Sequence, residues 1–236
     1  MQRSTTTTYN SHESDTMMHI VVLGTGMVGN AIATTLVTIG HHIMMGSRTA
    51  TSEAGQAWLR TVGGQAQCGT FAEAAAFGAI VFNCTNGANA LVALRQASAA
   101  NLRGKILIDV ANPLDMSTGM PPALTICNTD SLGEHVQREF PTTRVVKALN
   151  TMHCDVMVQP SLVPGDHTVF LCGNDAAAKR EVTERLCEWF GWKKENIIDL
   201  GDITAARGTE MFLPLWLRLW SVVGTGHFNM RVVRGH

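Results

Sequence analysis

The chain has 236 residues, 45% of them hydrophobic and 16% charged, so it can bury a sizeable core in one large or two small domains. Its formal net charge of −1 lacks the basic surplus typical of nucleic-acid-binding proteins. No run reaches the ~18 apolar residues of a membrane-spanning helix. The nearest run, 211–224, is interrupted by Pro214 and Arg218.

Residues 1–16 are polar and rich in Ser and Thr, without the apolar segment of a secretory signal. They are predicted either to form a disordered tail or to result from an upstream start codon. In the second case the native start is Met17 or Met18. The six cysteines form no CxxC pair, and most lie in apolar runs. Free, structural thiols are therefore expected, which favours a cytoplasmic protein.

Short apolar runs alternate with helix-like segments through the rest of the chain. The runs are solidly apolar, as expected of strands covered on both faces. The predicted strands are 19–23, 42–45, 65–68, 79–84, 105–110, 145–149, 168–172 and 197–200. The predicted helices are 28–39, 52–61, 71–77, 88–99, 132–140, 176–190 and 203–222. This alternation predicts an α/β fold, a doubly wound and mostly parallel sheet.

Residues 17–236 are interpreted as a single domain in which 201–236 form a C-terminal helical extension. Pro214 is predicted to kink or restart the last helix, because proline removes a backbone donor and its ring crowds the preceding turn.

Three glycines, Gly24, Gly26 and Gly29, match G-x-G-x-x-G between the first strand and the first helix. Gly24 permits a tight turn, Gly26 lets the backbone approach a pyrophosphate, and Gly29 allows close helix packing. The free N–H groups near Met27 and Val28 would then face the phosphates. This context predicts a Rossmann-type dinucleotide-binding domain.

The end of the second strand distinguishes NADP(H) from NAD(H). NAD-binding proteins place an acidic residue there for the ribose 2′-hydroxyl, whereas this sequence has Ser47, Arg48 and Thr49. The Arg48 guanidinium suits a 2′-phosphate and can stack on the adenine. The two hydroxyl groups can donate to the same phosphate, so NADP(H) is the predicted cofactor.

Small and polar residues follow three further strands, at the sheet edge where an open α/β fold binds its ligand. They are Thr85 and Asn86 beside the ribose and pyrophosphate, Ala111, Asn112 and Pro113 near the nicotinamide ribose, and Asn150, Thr151 and Met152 at the nicotinamide end.

Two neighbouring patterns resemble catalytic or metal sites. Lys147 and Asn150 form K-x-x-N, but residues three apart on a strand point to opposite faces, so a catalytic lysine is not expected. His153 and Cys154 are adjacent, yet no third ligand stands at usable spacing. No metal site is therefore predicted.

The sequence also offers no acid–base group of the kind that an alcohol dehydrogenase needs to move a proton. Such a reaction needs a positioned Tyr, His or Lys, and the only tyrosine, Tyr9, lies in the tail. A flavin-type acceptor takes a hydride directly onto its ring, so the protein need only stack two rings and exclude water. No catalytic side chain is predicted.

Six stretches of the sequence resemble the NADPH:coenzyme F420 oxidoreductases, and with them the cytoplasmic reductase domain of the STEAP metalloreductases. They are VVLGTGMVGNAIATTL, MGSR, DVANPL, RVVKALNT, FLCGNDAAAK and LGDITAARGTEMFLPLW, spread over most of residues 18–220. The similarity covers a domain and not one motif.

The resemblance implies NADP binding through Thr25, Ser47 and Arg48, and hydride transfer directly between NADP(H) and a deazaflavin or flavin. The expected acceptor is F420, FAD or FMN. Members of the family are commonly homodimers, which is the assembly expected here. The chain lacks the six-helix membrane part of the STEAP proteins, and its ending resembles a shorter bacterial branch whose acceptor the resemblance does not fix.

Two questions stay open at the level of sequence. The Trp-rich segment 211–220 can pack on the core, form a dimer interface, lie on a membrane surface, or close over the acceptor with Gly224 and Gly226 as a hinge.

The expected function is NADPH-dependent reduction of a flavin-type acceptor. The alternative is a non-catalytic protein that senses NADP(H).

Overall fold

The structure, a computed structural model, describes residues 17–117 and 119–235. The tail predicted to be disordered, residues 1–16, lies outside the described residues. The strands are β1 (His19–Leu23), β2 (His42–Ser47), β3 (Ala66–Thr70), β4 (Ile80–Asn83), β5 (Ile106–Asp109), β6 (Leu114–Asp115), β7 (Ala123–Leu124), β8 (Arg144–Ala148), β9 (Val169–Gly173) and β10 (Ile197–Asp199).

Eight of these strands form one sheet in the order β10-β9-β8-β5-β4-β1-β2-β3, and β6 pairs with β7 separately. The pairs from β3 across to β8 are parallel, with Ile20 opposite Ile43 on one side and Ile80 on the other. The predicted doubly wound, mostly parallel sheet is confirmed. Strand β9 runs antiparallel to β8, and β10 is parallel to β9, so the direction reverses near one edge.

The helices are α1 (Met27–Thr38), α2 (Glu53–Val62), α3 (Phe71–Phe77), α4 (Ala90–Ala97), α5 (Ala99–Leu102), α6 (Leu132–Glu139), α7 (Cys154–Val158), α8 (Ala176–Phe190) and α9 (Ala206–Val223). Most predicted elements are present with ends that differ by a few residues. Within the described ranges, no helix combines the length and apolar character needed to cross a membrane.

Two predicted helices differ from the structure. The predicted helix 88–99 is divided at Ser98, whose φ of 77° lies in the left-handed region and ends α4 before α5 begins. A restart at Pro214 is wrong, because α9 continues through this residue. Buried side chains on either side of it, Leu213 and Trp216, hold both turns against the rest of the protein, and this packing overrides the local preference.

Both faces of the sheet are covered by apolar layers. Along β1, Ile20 and Val22 join the layer that contains α1 and α8, whereas Val21 and Leu23 join the layer of α3, α4 and α6. Successive strand side chains point to opposite faces. The uninterrupted apolar runs in the sequence are therefore explained by burial on both sides.

A buried ionic cluster joins the sheet to the last helix. The Lys147 Nζ lies 2.8 Å from an Asp109 oxygen and 2.8 Å from a Glu210 oxygen, and all three side chains are at most 1% exposed. Glu210 also accepts hydrogen bonds from the backbone N–H groups of Leu132 (2.8 Å) and Gly133 (3.0 Å) at the start of α6. The positive end of the α6 dipole thus offsets part of the negative charge of the Glu210 carboxylate.

This cluster gives Lys147 a structural role. Burial alone lowers the pKa of Lys147, but the carboxylates of Asp109 and Glu210 outweigh burial and raise the pKa above its usual value. The ammonium also donates to the Ala111 carbonyl. Lys147 is therefore charged at neutral pH and joins β8, β5 and α9.

Replacing Lys147 with methionine should destabilise the protein strongly, because two buried carboxylates would lose their counter-charge. We expect the free energy of unfolding to fall by about 3–5 kcal/mol, measured by urea unfolding followed by tryptophan fluorescence. Lys193→Met is the matched control, since its ion pair with Asp166 is exposed and should contribute little. Equal losses in the two variants would contradict this interpretation.

Candidate functional site

The glycine turn after β1 is shaped by close backbone contacts. Gly24 has a φ of 114°, and a Cβ placed there would lie 2.6 Å from the Cys84 carbonyl oxygen. A Cβ at Gly29 would lie 2.1 Å from the Gly24 carbonyl oxygen. Neither position has room for a side chain, so these glycines bring the turn, the start of α1 and the loop after β4 together.

Gly26 is different, because it faces open space. Apart from Gly26 itself and its two chain neighbours, no atom of the described chain lies within 4 Å of the position that a Cβ would take at Gly26, which precedes the first residue of α1. The side chain of Asn30 donates to the carbonyls of Thr25 (2.8 Å) and Gly26 (3.0 Å). Asn30 is not among the site residues predicted from the sequence, although an Asn four residues after Gly26 can bond back to that turn.

A cavity of about 490 Å³, here called the Arg48 cavity, lies between this turn, the end of β2 and α4. Its walls include Gly24, Thr25, Gly26 and Arg48. Arg48 is exposed, and within the described ranges its side chain has no hydrogen bond or ion pair. The cavity therefore has a free guanidinium at its mouth.

The two hydroxyl residues beside Arg48 differ in their surroundings. Ser47 is buried and donates a 2.6 Å hydrogen bond to the Thr49 carbonyl, whereas Thr49 is exposed. In this conformation the Ser47 hydroxyl donor stabilises the loop that carries Arg48.

A second cavity, of about 270 Å³ and here called the Trp216 cavity, is walled by α9, α7 and the loops after β4 and β5. Cys84, Thr85 and Asn86 line both cavities, so together the cavities form one cleft. The cleft lies at the carboxyl ends of β1 and β4, where the strand order reverses. Ligands of open α/β sheets bind at this position.

The structure brings most of the predicted strand-end residues together. The Trp216 cavity is lined by Met27, Val28, Thr85, Asn86, Ala111, Asn112, Asn150 and Met152. Pro113 and Thr151 are buried and are not wall residues of this cavity. Gly29 packs against the Gly24 carbonyl and is not a wall residue of either cavity.

Reciprocal hydrogen bonds join the ends of β5 and β8 beneath the cleft. The Asn112 side chain donates to the Asn150 carbonyl (2.8 Å), and the Asn150 side chain donates to the Asn112 Oδ1 (2.9 Å). Leu149, just before Asn150, has a φ of 65°. This left-handed residue ends β8 abruptly and turns Asn150 toward Asn112.

A polar chain connects the cleft to the buried ionic cluster. The Thr85 hydroxyl donates to the Asn83 Oδ1 (2.7 Å), and the Asn83 amide donates to Asp109 (2.8 Å), the partner of Lys147. The loop after β4 is therefore held by the same group of charges that holds α9.

Cys84 lies at the junction of the two cavities. Burial raises the pKa of its thiol well above the usual value, and the negative charge of Asp109 adds to this effect. The thiol is therefore protonated at neutral pH, which fits a structural role. All six cysteines are free, and Cys127 is the exposed one.

Helix α9 contributes to both the core and the site. Leu213 and Trp216 are buried and line the Trp216 cavity, while Leu215 on the other face is 51% exposed. Core packing is confirmed for the inner face. The homodimer interface stays a prediction for the outer face.

The segment after α9 turns back and packs against α7. Phe228 stacks on Trp216 with ring centroids 5.3 Å apart, and Met230 accepts a hydrogen bond from the Thr168 N–H (2.7 Å). A Cβ at Gly226 would lie 2.6 Å from the His153 ring. The suggested hinge at Gly226 is therefore a packed contact in this structure.

Comparison with known proteins agrees with this architecture. The family model described as NADP oxidoreductase coenzyme F420-dependent matches residues 19–113. The crystal structure of a candidate F420-dependent NADP reductase from Arthrobacter sp. FB24 is 49% identical, with a TM-score of 0.86, over 92% of this chain and 100% of that one. This chain belongs to the F420-dependent NADP oxidoreductase family. The resemblance in the sequence is confirmed.

Curated relatives are more distant. The F420-dependent NADP reductase of Methanocaldococcus jannaschii is 30% identical over 53% of this chain and 56% of its own length. The metalloreductase STEAP3 of Rattus norvegicus is 28% identical over 83% of this chain and 37% of its own length. The chain thus spans about half or less of the length of these curated relatives.

More distant solved structures show the fold alone. An imine reductase from Myxococcus stipitatus, solved in complex with NADP+, is 17% identical with a TM-score of 0.60, over 87% of this chain and 63% of that one.

Substitution of two glycines should separate ligand binding from folding. Gly26→Ala should leave stability nearly unchanged, because its Cβ meets open space. It should weaken NADPH binding about tenfold or more if, as predicted, the pyrophosphate packs against this backbone. Gly29→Ala should lower the free energy of unfolding by about 1–3 kcal/mol through its clash with Gly24. Thermal unfolding and fluorescence titration measure the two effects. Unaltered NADPH affinity in folded Gly26→Ala would contradict the assignment.

Proposed function

We propose that this protein is an NADPH-dependent oxidoreductase that transfers a hydride between NADP(H) and a flavin-type acceptor, with a deazaflavin of the F420 type favoured by its family. One observation carries the proposal. A single cleft at the switch point of the sheet joins the Arg48 cavity to the Trp216 cavity. The cleft thus has a site for each end of a dinucleotide and an apolar space beside the reactive end.

The first half of the cleft suits the adenosine and phosphates of NADP(H). The open backbone at Gly26 and the first amides of α1 would bind the pyrophosphate. The Arg48 side chain, without a partner in the described chain, would pair with the 2′-phosphate. Asn30 supports the turn by holding the carbonyls of Thr25 and Gly26.

The second half suits two stacked rings. Trp216, Trp220 and Met152 provide broad apolar walls that would exclude water, and Asn112 and Asn150 provide polar groups for the nicotinamide side. A hydride would leave C4 of the nicotinamide and form a C–H or N–H bond on the acceptor ring, while a solvent proton completes the reduced acceptor. The walls need only orient the two rings, because the hydride donor and the hydride acceptor are atoms of the two cofactors.

The cofactor preference is tested by Arg48→Ala. Loss of one charge-assisted phosphate contact should weaken NADPH binding about 10- to 100-fold, with little change for NADH, as measured by fluorescence titration of both cofactors. Arg60→Ala is a matched control, because Arg60 is exposed on α2 and does not line the Arg48 cavity. Equal weakening of NADPH and NADH binding by Arg48→Ala would contradict the 2′-phosphate role.

The reaction itself is tested by following NADPH absorbance with F420, FMN, FAD, ferric chelates and quinones as acceptors. We expect rapid oxidation with a flavin-type acceptor and slow oxidation when NADH replaces NADPH. Tight NADPH binding without turnover across this panel would contradict the enzyme and favour the NADP(H)-sensing alternative.

A further inference from the structure

Four side chains with metal-binding groups meet at the start of α7, and two of them, His153 and Cys154, line the Trp216 cavity. Three are consecutive, His153, Cys154 and Asp155, and their donor atoms lie within 4.8 Å of one another. The fourth, His227, comes from the segment after α9 and contacts Asp155 across 72 residues of sequence. None of the four is used by the proposed hydride transfer.

The spacing of the donor atoms suits one small ion. The Cys154 Sγ lies 3.8 Å from the His153 Nδ1 and 3.7 Å from the Asp155 Oδ1. The His153 Nδ1 and His227 Nε2 lie 3.4 Å and 2.9 Å from the Asp155 Oδ2. Ligands arranged tetrahedrally at zinc bond lengths stand roughly 3.3–3.6 Å apart. Small side-chain movements would therefore place His153, Cys154 and Asp155 around one ion, and His227, which contacts Asp155, would turn toward them as the fourth ligand.

Local backbone geometry brings the three consecutive residues together. His153 precedes the first residue of α7 with an extended backbone, and its ring folds back so that Nδ1 accepts the Asp155 N–H (3.3 Å). The same Nδ1 lies within 4 Å of the Cys154 thiol and the Asp155 carboxylate. A bound ion would replace the hydrogen bond from the Asp155 N–H at this nitrogen.

The position of His227 is fixed by its neighbours on both sides. Gly226 packs directly on the His153 ring, where a side chain would collide. Phe228 stacks on Trp216. His227 is thus held over α7, with its ring centroid 5.5 Å from that of His153.

We propose that His153, Cys154, Asp155 and His227 bind a divalent transition-metal ion of the zinc class. Imidazole and thiolate ligands favour such an ion over magnesium or calcium. Asp155 and His227 are 46% and 45% exposed, which leaves a path for entry of the ion. The bound ion would fasten the segment after α9 to α7 and stiffen the wall of the Trp216 cavity. The sequence-based expectation of no metal site overlooked Asp155, which directly follows Cys154, and His227, which is remote in the chain.

Cobalt(II) titration of the chelator-treated full chain tests this site without reference to NADPH turnover. We expect one equivalent to bind, with the visible bands of four-coordinate cobalt and a thiolate-to-cobalt charge-transfer band. Cys154→Ser should abolish the charge-transfer band, and His227→Gln should weaken cobalt binding at least tenfold. Competition with zinc should remove the cobalt spectrum.

Cys127→Ser is the matched control, because Cys127 is the exposed cysteine and lies outside this cluster. This variant should keep the full cobalt spectrum. The proposal is overturned if the unaltered chain shows no thiolate-to-cobalt band, or if folded His227→Gln binds cobalt as tightly as the unaltered chain. Near-ultraviolet circular dichroism verifies that each variant is folded.

Discussion

The buried contact between Lys147 and Glu210 is the interaction on which the site depends. Glu210 lies on α9, and its carboxylate bridges the lysine on β8 and the first amides of α6. Burying these charges costs free energy of folding unless each charge is paired. The ion pair and hydrogen bonds of Glu210 therefore hold α9 in one position. The Trp216 wall of the cleft, about two helical turns further along α9, is set by this contact together with the packing of Leu213.

The same cluster links the two halves of the cleft. Asp109 receives hydrogen bonds from Lys147 and from Asn83, and Asn83 holds the Thr85 hydroxyl. The loop after β4, which lines both cavities, is thereby tied to the helix that closes one of them. This arrangement places the glycine turn and Arg48 at one end of the cleft and the tryptophan-lined cavity at the other, on one hydrogen-bonded frame.

Local patterns predicted most of the fold and the candidate cleft. The limits of β1 and α8 and the glycine turn follow from short apolar runs and from backbone geometry within a few residues. The link from Glu210 to α6 spans 78 residues, and no local pattern marks it. The reversal of β9 and the unbroken α9 at Pro214 likewise depend on packing between distant segments.

The most direct test of direct hydride transfer uses NADPH that carries deuterium at both C4 positions, with an F420-type deazaflavin as acceptor. The C–H bond formed at C5 of a reduced deazaflavin does not exchange readily with water, so mass spectrometry can read its origin. Direct transfer should leave one deuterium in each reduced deazaflavin. A product that carries only solvent hydrogen at C5 would contradict direct transfer within the cleft.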